Sequence, residues 1–366
     1  MRPTCSRKQQ ENIPPALGGS TRHAAENEFQ TRLLDGVSRT FALTIPELPG
    51  DLTTVVSNGY LLCRIMDTIE DEPALSAAAK RDFSSRFVDA VAGNGSAERF
   101  SADLAPLLSA STIPAEHALI RETPRVLAIT HSFKPAQREA LATCVRVMGE
   151  GMVRFQENHH TGHARGLEDL AELDRYCYHV AGVVGEMLTR LFCEYSATIA
   201  TQREALMPLA VSFGQGLQMT NILKDIWADL GRGACWLPRE VFARGGFDLK
   251  DLAPNRYNPA FGRGLLTLVA IAHEHLRDAM RYTLRMPAEE TGIRNFCLWA
   301  IGMALLTLRK IRQRPDFAHG DEVKISRRSV KATVIASRLA AGHDSAIRLL
   351  FRAAATGLPP IQTEVR

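Results

Sequence analysis

Apolar residues recur at three- and four-residue intervals through residues 141–155, 176–195, 206–230 and 265–284. That period marks helices which bury one face. Alternating β-branched patterns are nearly absent. Breakers fall between the runs: Pro46 and Pro49, Pro73, Gly93 and Gly95, Pro114, Pro238, Gly245-Gly246, Pro254 and Pro259, Pro287, Pro315. No internal repeat is visible. The pattern predicts an all-α fold, with helices surrounding a central apolar cavity in an elaboration of bundle logic. With 366 residues and 45% hydrophobic composition the core is large. A size prior allows two domains, but no linker divides the chain. The expected layout is a disordered lead-in over residues 1–25, one all-α domain over 26–356 and a polar tail over 357–366.

Composition excludes several classes. A net charge of +4, with both signs mixed along the chain, argues against a nucleic-acid partner. Seven cysteines (5, 63, 144, 177, 193, 235, 297) are scattered and odd in number, without CxxC. They read as buried, reduced thiols of a cytoplasmic protein. The N-terminus has Pro14-Pro15 and Gly18-Gly19 but no signal-peptide apolar core. The longest apolar run, residues 296–306, falls short of the ~20 residues that span a bilayer and reads as a core helix. The polar segment 361–366 carries no anchor, and peripheral contact with a membrane stays open. Asn158-His159-His160-Thr161-Gly162-His163 could suggest zinc, but its setting is a polar loop and nothing else nearby suits zinc.

Two acidic clusters carry the chemistry. In the first, Tyr60, Arg64, Asp67 and Asp71 are spaced by four, three and four, which keeps them on one helical stripe with Glu70 beside it. Pro73 disfavours α conformation in the residue before it, so the helix should end near Glu72 with its acids at a rim. In the second, Asn221, Asp225 and Asp229 share a face, with Gln218 one turn back. Leu217, Ile222, Leu223 and Ile226 pack the other way. Each cluster sets like charges four residues apart, at a cost of roughly 0.2–0.5 kcal/mol per pair. Acids near helix ends are ordinarily solvated charge. Two clusters on apolar helices, each beside a basic residue (Arg64, Lys224), point instead to a hard cation. All-oxygen ligands suit Mg²⁺, which keeps waters and bridges to phosphates. Ser38-Arg39-Thr40-Phe41 precedes an apolar helix and offers an arginine fork for phosphate oxygens. Arg64, Lys224 and Arg232 are further candidates.

These residues resemble the squalene/phytoene synthase family of isoprenoid enzymes. Four segments carry the likeness. They are Ser38-Arg39-Thr40-Phe41 with the cluster Asp67 to Asp71; Tyr176-Cys177-Tyr178-His179-Val180-Ala181-Gly182-Val183-Val184-Gly185; Gln218 through Asp229 with Trp236-Leu237-Pro238; and Asn295-Phe296-Cys297 with Val323-Lys324-Ile325. They run in the family's order over roughly residues 35 to 330, and the last two favour the squalene branch. The resemblance implies an isoprenoid-synthase-type helical bundle. It implies joining of two prenyl diphosphates at their C1 ends through a cyclopropyl intermediate. In the squalene branch the substrate is farnesyl diphosphate, Mg²⁺ assists ionisation and NADPH reduces the rearranged cation.

By the same resemblance Asp67, Glu70, Asp71, Asp225 and Asp229 hold metal. Tyr176 assists proton removal, and Arg39, Arg64 and Phe41 join it in catalysis. Ser38, Arg39, Tyr60, Arg64, Gln218, Asn221, Lys224, Arg232 and Phe296 bind substrate, and Arg39, Arg64, Lys224, Lys324 and Arg327 bind cofactor. Phe41, Tyr60, Phe213 and Phe296 can face a carbocation, at about 0.5–2 kcal/mol per well-placed ring. Gly182, Gly185, Gly214 and Gly216 each weaken a helix by ~1 kcal/mol; close helix contact or room for a prenyl chain is the compensation. The chain also departs from the pattern: Ala228 replaces the second cluster's internal glutamate, Lys224 replaces an arginine, and Arg327 falls one residue late. Rival readings are a relative that stops at presqualene diphosphate, hydroxysqualene, dehydrosqualene or phytoene, and a non-catalytic scaffold.

Overall fold

Helix ends fall where local chemistry puts them. In the computed structural model, which describes residues 19–38, 40–156 and 166–359, helix Gly50–Asp71 stops one residue before Glu72 and two before Pro73. Ser76, Ser96, Asp169 and Ser326 each accept a backbone N–H at the start of a helix. Gly93 ends the helix Ala77–Ala92 at φ +85°, a conformation glycine adopts freely. Eighteen α-helices occur among the described residues and no strand; one isolated bridge joins Leu167 to Pro238. The all-α expectation holds.

Helix Arg203–Gly231 is the hub. It packs on Pro259–Arg285, Val183–Tyr195 and Thr291–Gln313. Its buried face carries Leu206, Ala210, Met219, Ile222, Leu223 and Ile226, and each such large aliphatic contributes ~1.5–3 kcal/mol when fully buried. Helix Gly50–Asp71 lies against Pro135–Gln156 and Gly19–Val37. The six described cysteines are all free thiols.

Three elements differ from expectation. Helix Gly19–Val37 begins inside the stretch read as lead-in. At the other end Leu358 is buried and the His273 ring meets the Pro359 carbonyl at 3.2 Å, so packing continues past residue 356. The run over 176–195 is not one α-helix: a single π-helical turn, Tyr178–Gly182, joins Leu170–Cys177 to Val183–Tyr195. The apolar run 296–306 lies within helix Thr291–Gln313. Those 23 residues are long and apolar enough to cross a membrane, but 67% of the apolar window is buried inside the fold, as a core helix requires.

The helical glycines mark where backbones touch. A Cβ on Gly185 would lie 2.1 Å from the Ala210 carbonyl oxygen, and one on Gly214 would lie 2.2 Å from that of Ala181. Close contact between the hub and the segment around the π turn therefore accounts for both. Gly214→Ala must push two backbones apart and should cost about 3 kcal/mol. Urea denaturation checks this, and an unchanged midpoint would show that the seam has slack.

Candidate active site

The first acidic rim is the last two turns of Gly50–Asp71. Arg64 bonds Glu116 of helix Pro114–Arg121 and lies 4.0 Å from Asp67. Water reaches a third of the Asp67 side chain, but protein surrounds it on most sides. Burial therefore raises its pKa to about 7; Arg64 opposes this, and Asp71 and Glu116 add to it. Glu70 is pushed to about 8, chiefly by burial and then by Asp71 and Asp67, against the pull of Lys80 and Arg232. The Lys80 ammonium donates to the Glu70 carbonyl. Glu72 has a different job. Burial would raise its pKa, but bonds from Ala74 N at 2.8 Å, Thr112 Oγ1 at 2.7 Å and Ser109 N at 2.9 Å outweigh it and hold the carboxyl low. It pins a turn and takes no part in the rim.

The second rim is the end of the hub helix. Exposure falls along its oxygen-bearing stripe, from Asn221 (exposed) through Asp225 (half-buried) to Asp229 (buried). Lys224 meets Asp225 at 2.7 Å and Arg232 meets Asp229 at 2.6 Å. The Asp229 pKa rises to about 6, first by burial, against Arg232, with Asp225 and then Asp71 adding to the rise. Asp71 belongs to the first rim, so the two rims share a field. Arg232 lies in the same field: burial alone would lower its pKa, yet Asp71, Asp229 and Asp225 together raise it.

Tyr176 lies within the field of acids from both rims. Its ring stacks on Trp236 at 3.8 Å and 11°, with Phe155 edge-on at 5.3 Å. Burial, then Glu70, Cys177, Asp229 and Asp71, raise its pKa well above the ordinary phenol value. A phenol acts as a base near neutral pH only beside a cation or with a bound diphosphate to take its proton. The structure supplies carboxylates, which hold the proton on.

Among the described residues no three His, Cys, Asp or Glu side chains converge closely enough to hold a metal on their own. The rims nonetheless fit a hard cation that keeps waters and takes phosphate oxygens as further ligands. Their donors are all oxygen, and three of the acids bear a charge that the surrounding protein leaves poorly compensated. Arg232 is the local counter-charge.

The other expected residues scatter in role. Arg39, and the segment Asn158 to His163 considered for zinc, lie outside the described residues. Ser38 Oγ accepts the Phe41 N–H at 3.0 Å, and the Phe41 ring lies 5.0 Å from Tyr60. Gln218 is half-buried on the hub. Phe213 and Phe296 are core residues, edge-on to Tyr282 and Phe192 respectively. Lys324 pairs with Asp321 at 3.3 Å, and Arg327 is exposed at the start of helix Arg327–Ala340. A cleft of about 370 Å³ joins Lys224, Asp225 and Trp227 to His319, Asp321 and Lys324. It brings the second rim and the Lys324 segment together. Sequence reasoning missed Glu116 and Lys80. Neither shares a helix or a spacing rule with the cluster it meets, so no local signal could reveal them.

Such an arrangement, two acidic helix ends converging within an all-α bundle, defines the class: a helical enzyme of the isoprenoid-synthase fold. Solved structures share that fold. A ligand complex of TcSQS superposes with TM-score 0.69 at 22% identity, covering 90% of this chain and 98% of that one. A squalene synthase, HpnC, from Alicyclobacillus acidocaldarius gives 0.58 at 20% identity, covering 80% and 95%. Sequence narrows the class further. The squalene synthase of Cyberlindnera jadinii is 28% identical over 87% of this chain and 69% of its own length; that of Saccharomyces cerevisiae is 29% identical over 85% and 67%. The family model for squalene/phytoene synthase matches residues 34–329, and the chain belongs to that family. It is a prenyltransferase of the squalene/phytoene synthase type.

Proposed function

We propose that the protein condenses two farnesyl diphosphates through presqualene diphosphate and reduces the product to squalene with NADPH. The observation that carries this reading is the pairing of acids with cations along the second rim, Lys224 on Asp225 at 2.7 Å and Arg232 on Asp229 at 2.6 Å, in a chain of the squalene/phytoene synthase family. Asp67, Glu70, Asp71, Asp225 and Asp229 would hold Mg²⁺, which supplies Lewis-acid assistance to loss of diphosphate. NADPH would supply hydride, and Lys224 and Lys324, which line one cleft, would hold its anionic portion.

The chain's own side chains do the rest. Arg64 and Arg232 are tethered by Glu116 and Asp229, so their guanidinium groups are oriented before a phosphate arrives. Lys224 adds a point charge from the cleft. The paired rings of Phe41 and Tyr60 offer faces to an allylic cation. Tyr176, kept protonated, donates a hydrogen bond to a diphosphate oxygen, and that oxygen then takes the proton lost from carbon. Tyr176→Phe keeps the stack on Trp236 and should lower turnover about a hundredfold with little change in KM. An unaltered kcat would reduce Tyr176 to a packing residue.

Product analysis tests the whole reading. Purified protein incubated with farnesyl diphosphate and Mg²⁺ should yield squalene only when NADPH is present. Hydroxysqualene, dehydrosqualene or presqualene diphosphate as the end product under both conditions would replace the reading with one of its relatives.

A further inference from the structure

The two C-terminal helices carry an unusual surface. Arg327–Ala340 and Asp344–Ala354 together hold six basic residues and a single acid, Asp344, against +4 for the whole chain. Asp344 is engaged with Arg294 at 2.9 Å, and Arg338 with Glu47 at 2.6 Å. Of the eight large hydrophobic side chains most exposed among the described residues, the three most exposed are here: Leu339 at 78%, Leu349 at 66% and Ile335 at 61%. On the first helix Arg328, Lys331, Ile335 and Leu339 fall within an arc of about 100°, and all four are exposed. On the second, Ser345, Arg348, Leu349 and Arg352 repeat the arrangement, also exposed. The opposite faces are committed: Ala340 and Ile347 are buried with Trp299 and Leu298 in a small core of their own. The outward stripes are therefore not a packing residue of the fold.

We infer that this helical hairpin docks the protein on the surface of an anionic lipid bilayer. Charge complementarity selects that occupant. Cations interleaved with aliphatic side chains suit the headgroup boundary, where ammonium and guanidinium groups meet phosphate while Leu and Ile enter the acyl edge. A nucleic acid would leave three exposed aliphatics facing phosphate, and neither stripe offers an aromatic ring for stacking. A second copy of the same face would bring like charges together. The surface stands apart from the reaction proposed above, and its test does not use turnover.

Co-sedimentation of the full chain with vesicles checks it. Binding should occur to phosphatidylcholine vesicles containing phosphatidylglycerol, be weak on phosphatidylcholine alone, and be released by high salt. Lys331→Gln with Arg348→Gln should weaken binding by about fivefold for each cation removed. Leu339→Ser with Leu349→Ser should weaken it about tenfold. All four sites are exposed, so thermal melts should match the parent and exclude misfolding. Absence of vesicle binding, or binding that both double variants leave unchanged, overturns the inference. So does tight binding to duplex RNA or DNA, or a dimer in sedimentation velocity that Leu339→Ser dissociates.

Discussion

Asp67→Asn and Asp229→Asn should each lower the turnover of farnesyl diphosphate by about a thousandfold, ~4 kcal/mol of transition-state stabilisation. They should nonetheless leave the ligand-free protein at least as stable as the parent. Both halves follow from one fact. The folded pKa values of Asp67, Glu70 and Asp229 are about 7, about 8 and about 6, above the ordinary 3.8, 4.5 and 3.8. A carboxyl whose pKa rises on folding is deprotonated first in the unfolded chain. Its contribution is best at low pH and is lost as pH climbs from about 4 to about 8. Melting temperature without metal should thus fall across that window, less steeply in either variant, and Mg²⁺ with inorganic diphosphate should flatten the slope. Steady-state kinetics beside scanning calorimetry separates the two effects. A variant that keeps its turnover would remove the acids from the chemistry; one that loses turnover by unfolding would show it in the melt.

Arg294→Met should destabilise the protein by about 3 kcal/mol. Arg294 is 2% exposed. Its Nε and Nη2 donate to the Met286 carbonyl at 3.0 and 2.6 Å, and its Nη1 to that of Ala341 at 3.0 Å. Those carbonyls sit at the C-terminal ends of two helices, where no further turn supplies a donor. Methionine fills the volume and orphans both. Arg294→Lys keeps the charge without the fork and should recover only part of the loss. Urea melts measure the cost, and hydrogen exchange should place the loosening in residues 327–354. Equal protection there in parent and variant would refute the fastening role.

What the sequence disclosed was mostly local. Pro73 stops a helix through its own ring, so the end of Gly50–Asp71 was readable. A four-residue spacing fixes a face, so the stripe through Asn221, Asp225 and Asp229 was readable too. Glu116 reaches Arg64 across 52 residues and Glu70 acts on Tyr176 across more than a hundred, as tertiary packing alone decides. The family resemblance named Tyr176, but only the fold reveals that its neighbours are acids. Core and site were also hard to tell apart for single rings: Phe296 and Phe41 are equally apolar on paper, and their settings differ only once helices are packed.

The π turn at Tyr178–Gly182 sets the aim of that tyrosine. A π turn holds one residue more than the α turn it replaces, and one residue is about 100° of rotation. Rewinding those five residues as α-helix, with none deleted, would pass that rotation on to the flanking helix. Tyr176 would then swing off the Trp236 ring relative to the glycine seam at Gly185, while every acid stayed where it is. Catalytic alignment in this chain can therefore be undone by a change of phase, with no chemical group removed.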